Sequence, residues 1–172
     1  MISKKAQEVT PFIVMDVMAR AQELEKSGEN VVHLEVGEPD FETPEAIRNA
    51  AIEAIRSGKT HYTHAMGLME LREAICEHYQ LEYGVRVSPE QVLVTSGTSP
   101  AFLFMMLAIL EPGDEVILSN PHYACYPNFI RTVGGEPVFV RTHPEDGFQY
   151  RPESIKAALT PRTRCIDINS PC

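Results

Sequence analysis

Residues 91–119 read QVLVTSGTSPAFLFMMLAILEPGDEVILS. A β-rich run over 91–95 delivers hydroxyls and a glycine to Pro100, and ten uninterrupted apolar residues follow, from Ala101 to Leu110. Glu111-Pro112-Gly113-Asp114 turns the chain, and 115–119 is a second β-rich run. Further β-rich runs at 137–141 and 164–168 alternate with helical spacing over about 123–133 and 152–159. Strands separated by helices predict βαβ crossovers and an α/β fold with a mainly parallel sheet. The apolar run is too short to cross a bilayer, which needs about 20 residues, so it predicts a buried helix.

Upstream, three helices are marked by their ends. Thr10-Pro11 pairs an N-cap hydroxyl with a proline at the first helical position, and Gly28 closes that run. Thr43-Pro44 repeats the device, with Ile47, Ala50, Ala51, Ala54 and Ile55 on one face and Ser57-Gly58 as the stop. A third helix spans 68–83 and ends at Gly84. The segment 1–45 reads as an N-terminal arm with part of a small domain, and 46–172 as the first part of a larger one.

Composition narrows the class. Of 172 residues, 44% are hydrophobic and 23% charged, with 10 glycines and 13 prolines, which excludes disordered, collagen-like and coiled-coil chains. A net charge of -9 without a Lys/Arg cluster argues against nucleic acid. Cys76, Cys125, Cys165 and Cys172 are scattered, which suits a reducing compartment, and polar residues interrupt the amino terminus where a leader would be apolar. The expectation is a cytoplasmic protein with neither membrane nor nucleic-acid partner. Parallel sheets need both faces covered, yet no helix follows 164–168. This predicts that the chain is part of a longer polypeptide and that strands such as Val116-Ile117-Leu118 are left exposed.

Four segments carry candidate chemistry. Ser96, Gly97, Thr98 and Ser99 bring hydroxyls and a glycine to a helix start, where free N–H groups and the dipole favour a phosphate. The same residues also describe an ordinary capped helix, since neither a Walker lysine nor GxGxxG is present. Tyr123, within Pro121-His122-Tyr123, follows a strand end and can stack on a flat heterocycle or simply pack. Tyr62, within His61-Tyr62-Thr63-His64, can donate to an anion, while the two histidines lack the partners a metal site needs. In Leu34-Glu35-Val36-Gly37-Glu38-Pro39-Asp40-Phe41 a strand breaks at Gly37, which permits close backbone approach or a plain turn.

Taken together these pieces resemble a family. Gly37 to Phe41, Tyr62-Thr63 with Gly67 and Leu71-Arg72-Glu73-Ala74-Ile75, Thr95 to Ser99, Glu111 to Val116, Pro121-His122-Tyr123 and Asn169-Ser170-Pro171 stand in the order found in class I/II aminotransferases. These are pyridoxal-phosphate enzymes of fold type I, the aspartate aminotransferase group. The resemblance implies that Ser96, Gly97, Thr98 and Ser99 hold the phosphate of pyridoxal 5'-phosphate and that Tyr123 stacks on its ring. It also implies that Gly37 sits near the substrate carboxylate, and that Tyr62 reaches the cofactor of the neighbouring subunit in a homodimer.

The substrates implied are an amino acid and a 2-oxo acid. The family's chemistry needs a lysine that forms a Schiff base with the cofactor and then shuttles a proton. Lys4, Lys5, Lys26, Lys59 and Lys156 are terminal, at helix ends or on a surface helix, so no catalytic residue is assigned within the 172 residues. The lysine is expected beyond residue 172, with the present residues alone inactive. A carbon–sulfur lyase of the same fold and a non-catalytic cofactor-binding regulatory module are the alternatives.

Overall fold

The computed structural model describes residues 2–170; Pro171 and Cys172, the end of the Asn-Ser-Pro segment, lie outside the described residues. Its contacts divide the chain into two compact units, one of residues 1–31 with 97–172 and one of residues 32–96.

The first unit is the α/β body. Its sheet has three parallel strands, β1 (Glu115–Asn120), β2 (Glu136–Arg141) and β3 (Thr163–Ile166), in the order β2-β1-β3. Central β1 is buried along Glu115–Ser119, so Val116, Ile117 and Leu118 are wholly covered rather than exposed as expected. Val116 and Leu118 are covered by Met106 of the apolar helix (Thr98–Ile109), Leu110 at its C-cap and Ile130 of the next helix (Tyr126–Val133). Each such side chain contributes about 1.5–3 kcal/mol on burial.

The apolar helix is not buried all round. Met106 and Leu110 face the core, while Phe104, Met105, Leu107 and Ile109 are about half exposed, because only one face meets the sheet and its neighbour helix. Glu115 is buried at the foot of β1, where Arg162 Nη2 lies 2.5 Å from its carboxylate and the Thr160 hydroxyl donates to it at 2.6 Å. A buried carboxylate needs such partners.

The amino terminus belongs to this unit. A short helix, α1 (Lys4–Glu8), precedes α2 (Ile13–Lys26). Thr10 does not cap α2, whose N-cap is Phe12 without a side-chain bond; the Thr10 hydroxyl is taken by Asn128 instead.

The second unit holds α3 (Glu45–Arg56) and α4 (Met69–Tyr83); the apolar helix at 98–109 is therefore α5, Tyr126–Val133 is α6 and Pro152–Ala158 is α7. Pro44, not Thr43, stands at the N-cap of α3, and Gly84 ends α4 in the left-handed conformation.

Two expected strands are absent among the described residues. Residues 92–95 pair with no neighbouring strand; their backbone bonds run instead from Val92 to Pro89 and from Val94 to Met66 O at 3.1 Å. The segment around Gly37 is likewise irregular, with Val32, Leu34 and Phe41 more than 70% exposed. A strand exists only through its ladder, and β-branched residues without a partner row do not form one.

Candidate functional site

The entry to α5 turns on Gly97. Its φ of 95° and ψ of 179° fall in a region open essentially to glycine alone, although no heavy atom lies within 4 Å of where a Cβ would stand. Glycine is thus required by the backbone rather than by crowding. Thr98 and Ser99 open the helix, and no side chain caps it. The first N–H groups of a helix have no intrahelical acceptor, and here two hydroxyl residues stand beside them. Ser96, immediately before, is exposed, as are Gly97, Thr98 and Ser99. Open space beside a left-handed glycine, with uncapped amides and the positive helix end, fits a dianionic phosphate.

Tyr123 stands three residues beyond β1, just ahead of α6 rather than inside it as expected, because α6 begins at Tyr126 with Pro127 in its first turn. The turn that carries it is held by Ser119, whose hydroxyl donates to Pro121 O at 2.7 Å, and by His122, whose ring stacks on Phe139 at 5.0 Å. Tyr123 is 45% exposed. A hydrogen bond with the Cys125 side chain, reinforced by that group's charge and by burial, holds its phenol above the usual tyrosine range, so it acts as a neutral ring.

Two aromatic rings, Tyr126 and Phe102, tie this tyrosine to α5, and a third, Phe12, meets it from the arm. Phe102, one turn into α5, stacks on Tyr126 with centroids 4.5 Å apart and planes 10° from parallel. Tyr126 meets Tyr123 edge-on at 5.2 Å, and Phe12 meets Tyr123 edge-on at 6.1 Å. The Tyr126 hydroxyl also donates to Asn169 Oδ1 at 3.5 Å, just past β3. Strand ends and a helix N-terminus on one edge of a parallel sheet are where α/β folds bind ligands.

Phe12, Phe102 and Tyr126 escaped the sequence reading. The Tyr123-to-Tyr126 spacing was a visible signal; the approach of Phe12 from the amino terminus was not.

Asp167 follows β3, and its N–H donates to Ile117 O at 2.9 Å while Tyr150 donates to its carbonyl. Burial pushes its carboxyl above the ordinary range, and burial followed by the Asp167 charge does the same for the Cys165 thiol.

Tyr62 and Gly37 lie in the other unit. Tyr62 is fully exposed beside a cavity of about 390 Å³ lined by Lys59, His61, Thr63, Leu68 and Glu70. Its loop closes at Gly67, whose φ is 96° and whose Cβ would stand 2.7 Å from Val94. Arg72, buried beneath, donates to Pro89 O at 3.0 Å. Gly37 has no neighbour within 4 Å of a Cβ position. Among the described residues no three His, Cys, Asp or Glu side chains group to hold a metal, and no helix is long and apolar enough to cross a membrane.

The family model described as aminotransferase class I and II matches residues 29–172. The chain is 43% identical over 171 residues to the (5-formylfuran-3-yl)methyl phosphate transaminase of Methanocaldococcus jannaschii, and 44% identical over 170 residues to the aspartate/prephenate aminotransferase of Thermus thermophilus. Each alignment covers 99% of this chain and 44% of the relative, so the chain spans less than half the length of the curated relatives it matches. Among solved structures, Thermus thermophilus aspartate aminotransferase with maleate superposes with a TM-score of 0.95 at 43% identity, covering all of this chain and 45% of that one. Alanine aminotransferase from Pyrococcus furiosus gives 0.91 at 36% identity, covering 99% of this chain and 45% of that one.

Proposed function

Because this chain belongs to the class I and II aminotransferases, we propose that it carries the cofactor-binding part of a pyridoxal-phosphate enzyme that moves an amino group from an amino acid to a 2-oxo acid. The observation that carries this reading is the joining of two functions in one unit: an uncapped helix start behind Gly97, and Tyr123 braced through Tyr126 and Phe102 to that same helix.

Bound pyridoxal phosphate would supply an electron sink for the substrate's α-carbon. The residues of this chain bind and orient it. The N–H groups and hydroxyls at Gly97, Thr98 and Ser99, with Ser96 beside them, hold the phosphate. The neutral Tyr123 ring would stack on the cofactor's pyridine ring. Gly37 leaves backbone room for the substrate carboxylate, and Tyr62 donates its phenolic O–H to the phosphate held by the other subunit of a homodimer.

In this reading residues 1–45 are the arm and a small-domain segment and residues 46–172 the first part of the large domain. The lysine that attaches the cofactor and moves the proton is supplied by further chain, and the protein is cytoplasmic and takes part in amino acid metabolism.

The test uses the whole protein. Pyridoxal phosphate should bind tightly, and amino transfer should appear with a panel of donors and 2-oxo acids that includes aspartate and prephenate. Residues 1–172 alone should give no turnover. Thiol and ammonia released from cystathionine without amino transfer would mean a lyase. Cofactor held without covalent attachment to any lysine, read by mass spectrometry after hydride reduction, would mean a binding module.

A further inference from the structure

Asn128, on α6, makes an amide clamp on the amino-terminal arm. The Thr10 N–H and hydroxyl both donate to Asn128 Oδ1, at 3.1 and 3.2 Å, and Asn128 Nδ2 donates to Thr10 O at 2.9 Å. One side chain thus gives the Thr10 peptide both the donor and the acceptor that a neighbouring strand would give. Lys5 Nζ, donating to Thr132 O at 3.3 Å, is a second and weaker tether on the same helix.

Thr10, Pro11 and Phe12 line a cleft of about 300 Å³ together with His122, Arg131 and Phe139. A segment that borders a cleft has fewer packed neighbours on that side, so its hydrogen bonds weigh more in its position. Two residues beyond the clamp, Phe12 puts its ring edge-on to Tyr123 at 6.1 Å. Among the described residues the other ring against Tyr123 is that of Tyr126, and nearly half of Tyr123 is exposed.

We infer that Asn128 is a positioning residue for the cofactor ring: by clamping Thr10 it holds Phe12 against Tyr123, and so sets the tilt of the ring that stacks on the pyridine. The inference rests on the role given to Tyr123 above. Asn128 itself touches neither cofactor nor substrate.

The experiment compares the whole protein with Asn128→Ala, Asn128→Asp, Phe12→Ala and the Asn128→Ala/Phe12→Ala double variant. The readouts are the dissociation constant and induced circular dichroism of pyridoxal phosphate, the affinity for inorganic phosphate, and the melting temperature of the cofactor-free protein. Asn128→Ala and Phe12→Ala should each weaken pyridoxal phosphate about three- to tenfold, the scale of one net hydrogen bond, and change the induced dichroism. Inorganic phosphate, held at the entry to α5, should bind unchanged.

Asn128→Asp keeps the acceptor and loses the donor, so it should fall between. The double variant should be no worse than the weaker-binding single variant, because both act through one contact. Unchanged pyridoxal phosphate affinity and dichroism in Asn128→Ala, or additive losses in the double variant, would overturn the inference while leaving the proposed function intact. A wild-type protein that binds no pyridoxal phosphate would overturn both. If Asn128→Ala fails to fold, Phe12→Ala and Asn128→Asp decide by the same readouts.

Discussion

Phe102 and Tyr126 lie face to face, 4.5 Å between centroids and 10° between planes, and join α5 to α6 directly above the core of Met106, Leu110, Val116, Leu118 and Ile130. The stack serves two ends: it extends the apolar core upward, and it fixes Tyr126 as the support of Tyr123. Such pairs contribute about 0.5–1.5 kcal/mol beyond their buried area. Phe102→Leu should therefore lower stability by about that much in denaturant titration, and Tyr126→Leu should cost a similar amount. The double variant should cost less than the sum, since each single change already removes the stack. Strict additivity would show that the rings pack without coupling.

Gly97→Ala separates backbone strain from crowding. Nothing stands within 4 Å of the added methyl, but φ of 95° with ψ of 179° is strained for any residue with a Cβ. The expected cost is about 1–3 kcal/mol, nearly the same for Ala as for Ser. Phosphate affinity should fall as well, because relaxation of the strain re-aims the first amides of α5. A variant with wild-type stability and phosphate binding would remove the reason given for glycine here.

Gly67→Ala makes the opposite case. Its methyl would stand 2.7 Å from both Cβ and Cγ2 of Val94, at a φ of 96°. Overpacking costs about 1–3 kcal/mol, added to a comparable backbone strain. Trimming the neighbour by Val94→Ala should rescue little, since the Val94 Cβ remains in place. Full rescue in the double variant, read by thermal unfolding, would mean that the contact is softer than the distances state.

The parts legible in sequence were those encoded locally. The cores of β1 and β2, the stop of α4 at Gly84 and the turn at Glu111–Asp114 each follow from residues next to one another. Residues 92–95 look like a strand on composition alone, but a ladder needs a partner, and their backbone finds Met66 instead. Thr10 carries every mark of an N-cap, yet Asn128, 118 positions away, takes both its donors. The proposed site divides in the same way: Gly97 and Tyr123 could be picked out locally, as a glycine among hydroxyls ahead of an apolar run and an aromatic just past a β-rich one, although the same signals also describe an ordinary cap and plain packing. Phe12, Phe102 and Asn128 were not, because their contacts exist only once α5, α6 and the arm have come together.

Asp167→Asn should make stability less sensitive to pH. Burial raises the folded-state pKa of Asp167, whereas in the unfolded chain it keeps its ordinary value. The folded protein then binds the extra proton, so stability falls as pH rises from the ordinary carboxylate value through the raised one. Asparagine carries no such penalty and leaves the backbone bond to Ile117 O in place. The variant should melt higher than wild type at neutral pH, with the gap closing in acid below the usual carboxylate range. Cys165 supplies a second readout, since the Asp167 charge is one of the two causes raising its thiol pKa. Removing that charge should increase the thiolate fraction and hence the alkylation rate of Cys165 near neutral pH. A melting difference that stays constant with pH, together with an unchanged alkylation rate, would show that Asp167 is not ionised against its surroundings in the folded protein.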